Sequence, residues 1–113
     1  AASDVYKRQA DINLTFNAKT ANYTLIASDV NKLVTMNAAG TLTLTVPNGV
    51  FTTGQQINIQ QLGAGQVQVR SDGTSVLTST GATSTAPNLR ARYSAATIIC
   101  TSSNNFTVIG DIS

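Results

Sequence analysis

Short runs in which apolar and polar residues alternate one by one are the feature that most restricts the fold of this chain. The clearest run covers residues 41–46, where Leu42, Leu44 and Val46 alternate with three threonines. A period of two places the apolar side chains on one side of an extended strand, whereas a helix would scatter them around its axis. The run stops at Pro47, because proline cannot donate to a strand ladder. The segment is therefore predicted to be a half-buried β-strand.

Similar runs recur along the chain, with no convincing helical period between them. We predict further strands at residues 12–16, 23–27, 32–36, 56–60, 66–70, 75–77, 89–93, 97–100 and 106–111. Roughly nine short strands without a substantial helix predict an all-β fold, either an antiparallel β-sandwich or a jelly-roll-like domain, with a small barrel as a variant. A parallel β-helix is the alternative, but the sequence shows no fixed repeat period to support it.

Two connections are also predicted from glycine, proline and small polar residues. The segments 56–60 and 66–70 flank a Gly-Ala-Gly sequence at 63–65, and we expect them to form a hairpin that turns there. Residues 78–88 contain Gly81, Pro87 and mostly small polar side chains. They offer little to bury, so this stretch is predicted to be an exposed loop.

The densest β signal lies in residues 89–113. It predicts a strand at 89–93, a tight reversal at 94–96, a strand at 97–100, a polar turn at 102–105 and a last strand at 106–111. We therefore expect the chain to finish inside the sheet, with its last strand contributing to the core.

Arg90 and Arg92 are the candidate site residues of this unit. If 89–93 is a strand, the two arginines project from one face, backed by Leu89, Ala91 and Tyr93 on the other. Two guanidinium groups on one face can bind acidic sugars or phosphate. A solvated face, or a rim that meets a neighbouring subunit, is the more ordinary interpretation. Arg90 and Arg92 are thus predicted surface or subunit-contact residues.

The domain organisation is simple. Residues 1–10 are the most charged part of the chain and show no alternation. They are interpreted as a flexible arm, a linker or a non-native leader, since residues 3–9 are similar to translated adaptor sequence. Residues 11–113 are predicted to form a single β-domain, a size that can bury one core without disulfides or a metal.

Composition excludes several kinds of chemistry. The chain has no His, no Glu and no Trp, and Cys100 is its one cysteine. His-based triads, Cys/His nucleophile pairs and clustered zinc ligands therefore cannot be built. Asp29 and Asp72 stand in turn-like contexts, which suit a turn role better than a pair of glycosidase carboxylates. No catalytic, cofactor-binding or metal-binding residue is predicted, and Cys100 is expected to act as a small apolar side chain.

Charge and hydropathy limit the partners. Charged residues make up only 11% of the chain, against about a quarter in typical globular proteins, and the net charge of +2 comes from scattered residues. This pattern does not predict nucleic-acid binding, which needs a clustered basic patch. No apolar run approaches the roughly 18 residues of a membrane helix, so no membrane insertion is predicted.

Several segments, taken together and in order, resemble a recurrent β-domain of tailed-bacteriophage proteins, found near the C-termini of tail-fibre, receptor-binding and capsid-fibre proteins. The segments are YTL at 23–25, SD at 28–29, KLVTMN at 32–37, LTVP at 44–47, GQQI at 54–57, QLGAGQV at 61–67, LRARYSAAT at 89–97 and VIGD at 108–111. The final strand of such domains commonly carries a Trp, where this chain has Phe106. The family's binding residues follow no motif, so none is carried over.

The resemblance implies a non-enzymatic virion module, usually assembled as a homotrimer, with a structural or host-attachment role. The first expectation is a distal tail-fibre domain in the virion, in contact with other virion proteins and with a host-surface glycan. A capsid decoration or head-fibre protein is the alternative. A bacterial carbohydrate-binding module is a second alternative from a different functional class.

Overall fold

The computed structural model describes residues 15–79 and 85–113. Its strands are β1 Thr15–Lys19, β2 Tyr23–Thr24, β3 Lys32–Met36, β4 Leu42–Val46, β5 Gln56–Gln61, β6 Val67–Ser71, β7 Val76–Ser79, β8 Ala95–Ser102 and β9 Asn105–Gly110. A single 3-10 turn at Ala27–Asp29 is the one helical element of the described residues. The prediction of an all-β chain without a substantial helix is confirmed.

The chain winds between two sheets as a β-solenoid. A six-stranded sheet, here the large sheet, has the order β1-β3-β5-β8-β9-β7, and a three-stranded sheet, the small sheet, has the order β2-β4-β6. Strands β1 to β6 alternate between the two, and each of β3 to β6 pairs in parallel with the strand one turn earlier. The predicted antiparallel sandwich or jelly roll is therefore wrong. The parallel β-helix, set aside for want of a repeat, is closer to the structure.

Unequal turns explain why no repeat period is visible. In the large sheet Thr15 pairs with Lys32 and Leu33 pairs with Asn58, so the second turn takes up more of the sequence than the first. In the small sheet the pair Tyr23 and Leu44 is likewise closer in sequence than the pair Leu44 and Val69 of the next turn. The corners between strands absorb these differences, so the strands stack in register while their spacing along the sequence changes.

The C-terminal hairpin is inserted into this solenoid. Strands β8 and β9 pair with each other antiparallel and lie between β5 and β7, so β7 pairs in parallel with β9 and not with β5. Beyond β9, Leu89 and Ile112 form an isolated antiparallel bridge. The expected last strand does lie inside the sheet and contributes to the core, because β9 has a strand on either side and its Phe106 and Val108 are buried.

The core fills the space between the two sheets with the inward side chains of alternating positions. Leu42, Leu44 and Val46 are all buried, as their alternation predicts. The Phe51 and Phe106 rings meet edge to face, with centroids 6.2 Å apart. Cys100 is also buried among these apolar side chains, which confirms its expected role as a small apolar residue. Burial raises the pKa of its thiol.

The Gly-Ala-Gly sequence forms a corner of the solenoid and not a hairpin turn. Strands β5 and β6 lie in different sheets, and the corner between them stacks on the preceding corner through Gly65 N–H, which donates to Ala38 O at 2.9 Å. A Cβ atom on Gly65 would overlap the carbonyl group of Gly40, and one on Gly63 would overlap the backbone of Ala38. Close stacking of two backbones explains these glycines.

Other boundaries also differ from prediction. The strand expected at 23–27 stops after Thr24, where the chain enters the 3-10 turn. The loop expected at 78–88 is partly ordered in β structure: β7 continues to Ser79, and Val69 N–H donates to Pro87 O at 3.0 Å. Residues 80–84 lie outside the described residues. So do residues 1–14, and with them the interpretation of 1–10 as an arm and the expected strand positions 12 and 14.

Candidate functional site

The structure places Arg90 and Arg92 in a turn, so the predicted strand at 89–93 is wrong. Tyr93 has a positive φ of 71°, which ends extended structure, and β8 begins only at Ala95. Tyr93 is 62% exposed and does not pack in the core as its predicted strand position implied. The alternation of Arg90 and Arg92 with Leu89 and Ala91 therefore does not reflect a β-strand.

Each arginine has its own partner. Arg90 makes a bidentate pair with Asp111, with Nε to Oδ1 at 2.6 Å and Nη2 to Oδ2 at 2.9 Å. Hydrogen bonding to Arg90, and also to Ser94, lowers the pKa of the Asp111 carboxyl group, and the same pair raises the pKa of Arg90. Arg92 instead donates from Nε to Leu62 O at 3.0 Å. The two guanidinium groups thus serve separate backbone and carboxylate partners, and a role in subunit contact stays a prediction.

Asp29 belongs to a polar cluster inside the first turn of the solenoid. Its carboxylate accepts from the Tyr23 hydroxyl at 2.6 Å, from Asn17 Nδ2 at 2.8 Å and from Ile26 N–H at 2.9 Å, and Asp29 is fully buried. Burial, and next the hydrogen bond to Asp29, raise the pKa of Tyr23 to about 12. These contacts tie β1, β2 and the 3-10 turn together, which is a structural role.

Asp72 has the turn role that its sequence context predicts. It accepts from the backbone N–H groups of Asn48, Thr74 and Ser75 at 2.8–3.0 Å. These donors, with Ser75 first, lower its pKa to about 2. Within residues 15–79 and 85–113, no three Cys or Asp side chains gather as a metal site would require. Over the same residues, no helix has the length and apolarity of a membrane span.

Among the described residues, the outward side of the large sheet is the surface that combines exposed apolar side chains with an absence of charged ones. Strand register lines up Phe16, Leu33, Asn58, Thr97 and Ile109 in one row across five neighbouring strands. Phe16 is 63% exposed and Ile109 is 49% exposed. Large apolar side chains that stand exposed on the face of a sheet are typical of an interaction surface.

This surface carries no charge. We define it, as the outer face, by the outward positions of five strands: Phe16, Ala18, Leu33, Thr35, Gln56, Asn58, Gln60, Ala95, Thr97, Ile99, Thr107 and Ile109. The charged side chains of the described residues all lie elsewhere. The small sheet differs, because its outward positions are Thr24, Thr43, Thr45, Gln68 and the charged Arg70.

An open groove of about 470 Å³ lies at one end of the outer face. Ala95, Ala96 and Gly110 form its floor, because their side chains are small or absent, and Ile109 borders it. Asn58 and Thr97 also line it, joined by a hydrogen bond of 2.8 Å from Thr97 Oγ1 to Asn58 Oδ1. The groove therefore offers a hydroxyl and an amide beside an apolar side chain.

Sequence inspection did not find this groove or the row of side chains beside it. Its lining comes from β5, β8 and β9, and Asn58 is far from Gly110 along the chain. No local motif links these positions, and each reads as one polar or small residue in an alternating strand. The low content of charged residues was the one sequence feature that pointed to an uncharged surface, and it does not say where on the fold that surface lies.

Comparison of the chain with protein-family models, with curated proteins and with solved structures gave no match in any of the three cases.

Proposed function

We propose that this chain is a non-enzymatic structural module of a bacteriophage virion, most specifically a distal tail-fibre domain that attaches to the host surface as a homotrimer. The phage setting rests on the ordered resemblance of segments between residues 23 and 111. The observation that carries the assembly is the outer face of the large sheet, which exposes Phe16 and Ile109 and bears no charged side chain.

Physical reasoning connects this face to self-assembly. An interface between identical subunits must bury the same side chains several times over, and an uncompensated buried charge is strongly destabilising. A face of Thr, Asn, Gln and apolar side chains avoids this penalty. Two charged groups of the described residues show this: Arg70 lies on the small sheet, and Arg90 is paired with Asp111, just beyond the end of β9.

Sedimentation of the purified chain tests the assembly. We expect a species of three times the 11.7 kDa monomer mass at micromolar concentration. A stable monomer under these conditions would contradict the homotrimer. Fluorescently labelled protein should in addition bind saturably to cells of a susceptible bacterium, and binding to capsids in place of cells would favour the capsid decoration or head-fibre alternative.

A carbohydrate-binding module is the second candidate, favoured by the groove on the outer face. The Thr97 hydroxyl and the Asn58 amide beside Ile109 resemble the mixture of hydrogen-bonding and apolar groups that holds a neutral sugar. A glycan array distinguishes the candidates. Sugar binding by a monomeric protein that associates with no virion component would favour this second function over the first.

A further inference from the structure

The outer face carries a projecting side chain at one end and a depression at the other. Phe16 stands on β1, the edge strand of the large sheet among the described residues, and is 63% exposed. The groove lies over β5, β8 and β9, with Asn58 at its near side. Two strand spacings of about 4.8 Å separate Phe16 from Asn58, so a phenyl ring at Phe16 stands about 10 Å from the groove of its own chain.

We propose that the groove receives Phe16 of a second copy of this chain. This inference deepens the proposed homotrimer and rests on it for the number of copies. The groove has the volume of a small ligand pocket, about 470 Å³, and its floor of Ala95, Ala96 and Gly110 leaves room for an aromatic ring. Ile109 supplies an apolar wall, against which an aromatic ring is removed from water.

Strand register supports the fit. Phe16 belongs to the same row as Asn58, Thr97 and Ile109, so it stands at the same height along the strands as the groove. Copies related by an axis parallel to the strands keep that height. Around a three-fold axis, Phe16 of each copy meets the groove of the next copy, and the third contact closes the ring.

Charge supports the choice of a copy of this chain as the occupant. The residues that line the groove are uncharged, and so are Phe16 and Ala18, the outward β1 positions that would approach it. Asp111, which follows Gly110 in the chain, is already paired with Arg90. A charged partner would bury its charge without gaining an ion pair, whereas an identical face buries no charge and its Thr, Asn and Gln side chains can hydrogen-bond to one another. The outer face also lacks an aromatic platform of its own at the groove, which a sugar-binding surface commonly has.

The first test removes the projecting ring. Phe16→Ala is expected to raise the dissociation constant of the oligomer about 10- to 100-fold, because the buried ring is lost. Ile26→Ala is the matched control: Ile26 is 51% exposed, like Phe16, but lies outside the large sheet. The dissociation constant of the Ile26→Ala oligomer should equal that of wild type. Sedimentation equilibrium gives both values, and thermal melting shows whether each variant stays folded.

The second test fills the groove. Ala95→Gln places a longer neutral side chain at an exposed position of the floor, and it should weaken association as Phe16→Ala does. A third variant pair fixes the geometry: after oxidation, a mixture of Phe16→Cys and Ile109→Cys proteins should give a disulfide between one copy of each. Links formed only within one variant would show a different packing.

The outcomes separate this inference from the proposed function. A wild-type trimer that Phe16→Ala and Ala95→Gln leave intact overturns the Phe16 contact but keeps the homotrimer. A wild-type monomer overturns both. Saccharide binding by a monomeric wild-type chain, lost in Ala95→Gln, would assign the groove to a sugar and overturn the contact as well.

Discussion

Replacing Tyr23 with Phe removes one oxygen atom from the polar cluster inside the first turn of the solenoid. That oxygen donates to Asp29 Oδ2 at 2.6 Å and accepts from Asn17 Nδ2 at 3.0 Å. A hydrogen bond to a charged group contributes about 1.5–3 kcal/mol. Asp29 keeps its bonds from Asn17 and Ile26 N–H, so it is not left bare. We therefore expect Tyr23→Phe to lower the free energy of unfolding by about 2 kcal/mol near neutral pH.

The same substitution should have a distinctive pH dependence. Burial and the neighbouring Asp29 raise the pKa of Tyr23 from 10.0 to about 12, so the folded state holds the phenolic proton more tightly than the unfolded state. This stabilisation is complete below pH 10 and is lost as the pH rises through 12. A shift of this size corresponds to roughly 2–3 kcal/mol. The stability difference between wild type and Tyr23→Phe should thus shrink towards zero between pH 10 and pH 12.

Urea denaturation at a series of pH values measures this difference directly. Groups common to both proteins, such as the lysines, cancel in the comparison. Tyr93→Phe is the matched control, since Tyr93 is 62% exposed, and its stability should stay within about 0.5 kcal/mol of wild type. A Tyr23→Phe difference that stays constant from pH 8 to pH 12 would refute the reasoning, as would a neutral-pH effect no larger than that of the control.

Two further substitutions test the corners and turns. Gly65→Ala should lower the free energy of unfolding by about 2 kcal/mol or more, because the added Cβ meets the Gly40 carbonyl. Gly40→Ala is the control in the same urea assay: its Cβ meets open space, so we expect little effect. Asp72→Asn should lower stability near neutral pH but not in strong acid: the pKa of Asp72 is lowered from 3.8 to about 2, so wild type keeps an advantage above pH 4 that disappears as the pH falls through 2. A difference that does not vary with pH would count against that account.

Strand positions were predictable, because alternation records which residues face the core. The predicted strand at 32–36 agrees with β3, Lys32–Met36, and the run at 41–46 contains β4, Leu42–Val46. Alternation says nothing about which strand pairs with which, or in which direction. Parallel stacking of β4 on β6 and antiparallel pairing within a hairpin would produce the same pattern of buried Leu44 and outward-facing Thr43.

The predicted strand at 89–93 failed for a tertiary reason. The local pattern favours a strand, but Ser94 Oγ accepts from Ala91 N–H at 3.1 Å and Arg90 is held by Asp111, so the chain turns before β8. Neither contact is visible in the alternation of apolar and polar residues. The Ala91–Ser94 bond closes a turn, and Asp111 lies 21 positions from Arg90. Propensity is a weak prior where such contacts exist.

The solenoid changes what the low charge of the chain means for assembly. In a sandwich of two similar sheets, uncharged Thr, Asn and Gln side chains would cover both outer surfaces alike. Here the β8–β9 hairpin is inserted between β5 and β7 and widens one sheet to six strands, while the small sheet keeps three. The hairpin also brings Ile109 and the small Ala95 and Gly110 into that sheet. The insertion thus gives the large sheet both its width and its groove, so any self-association by this mechanism is expected to depend on the C-terminal hairpin and to use one sheet only.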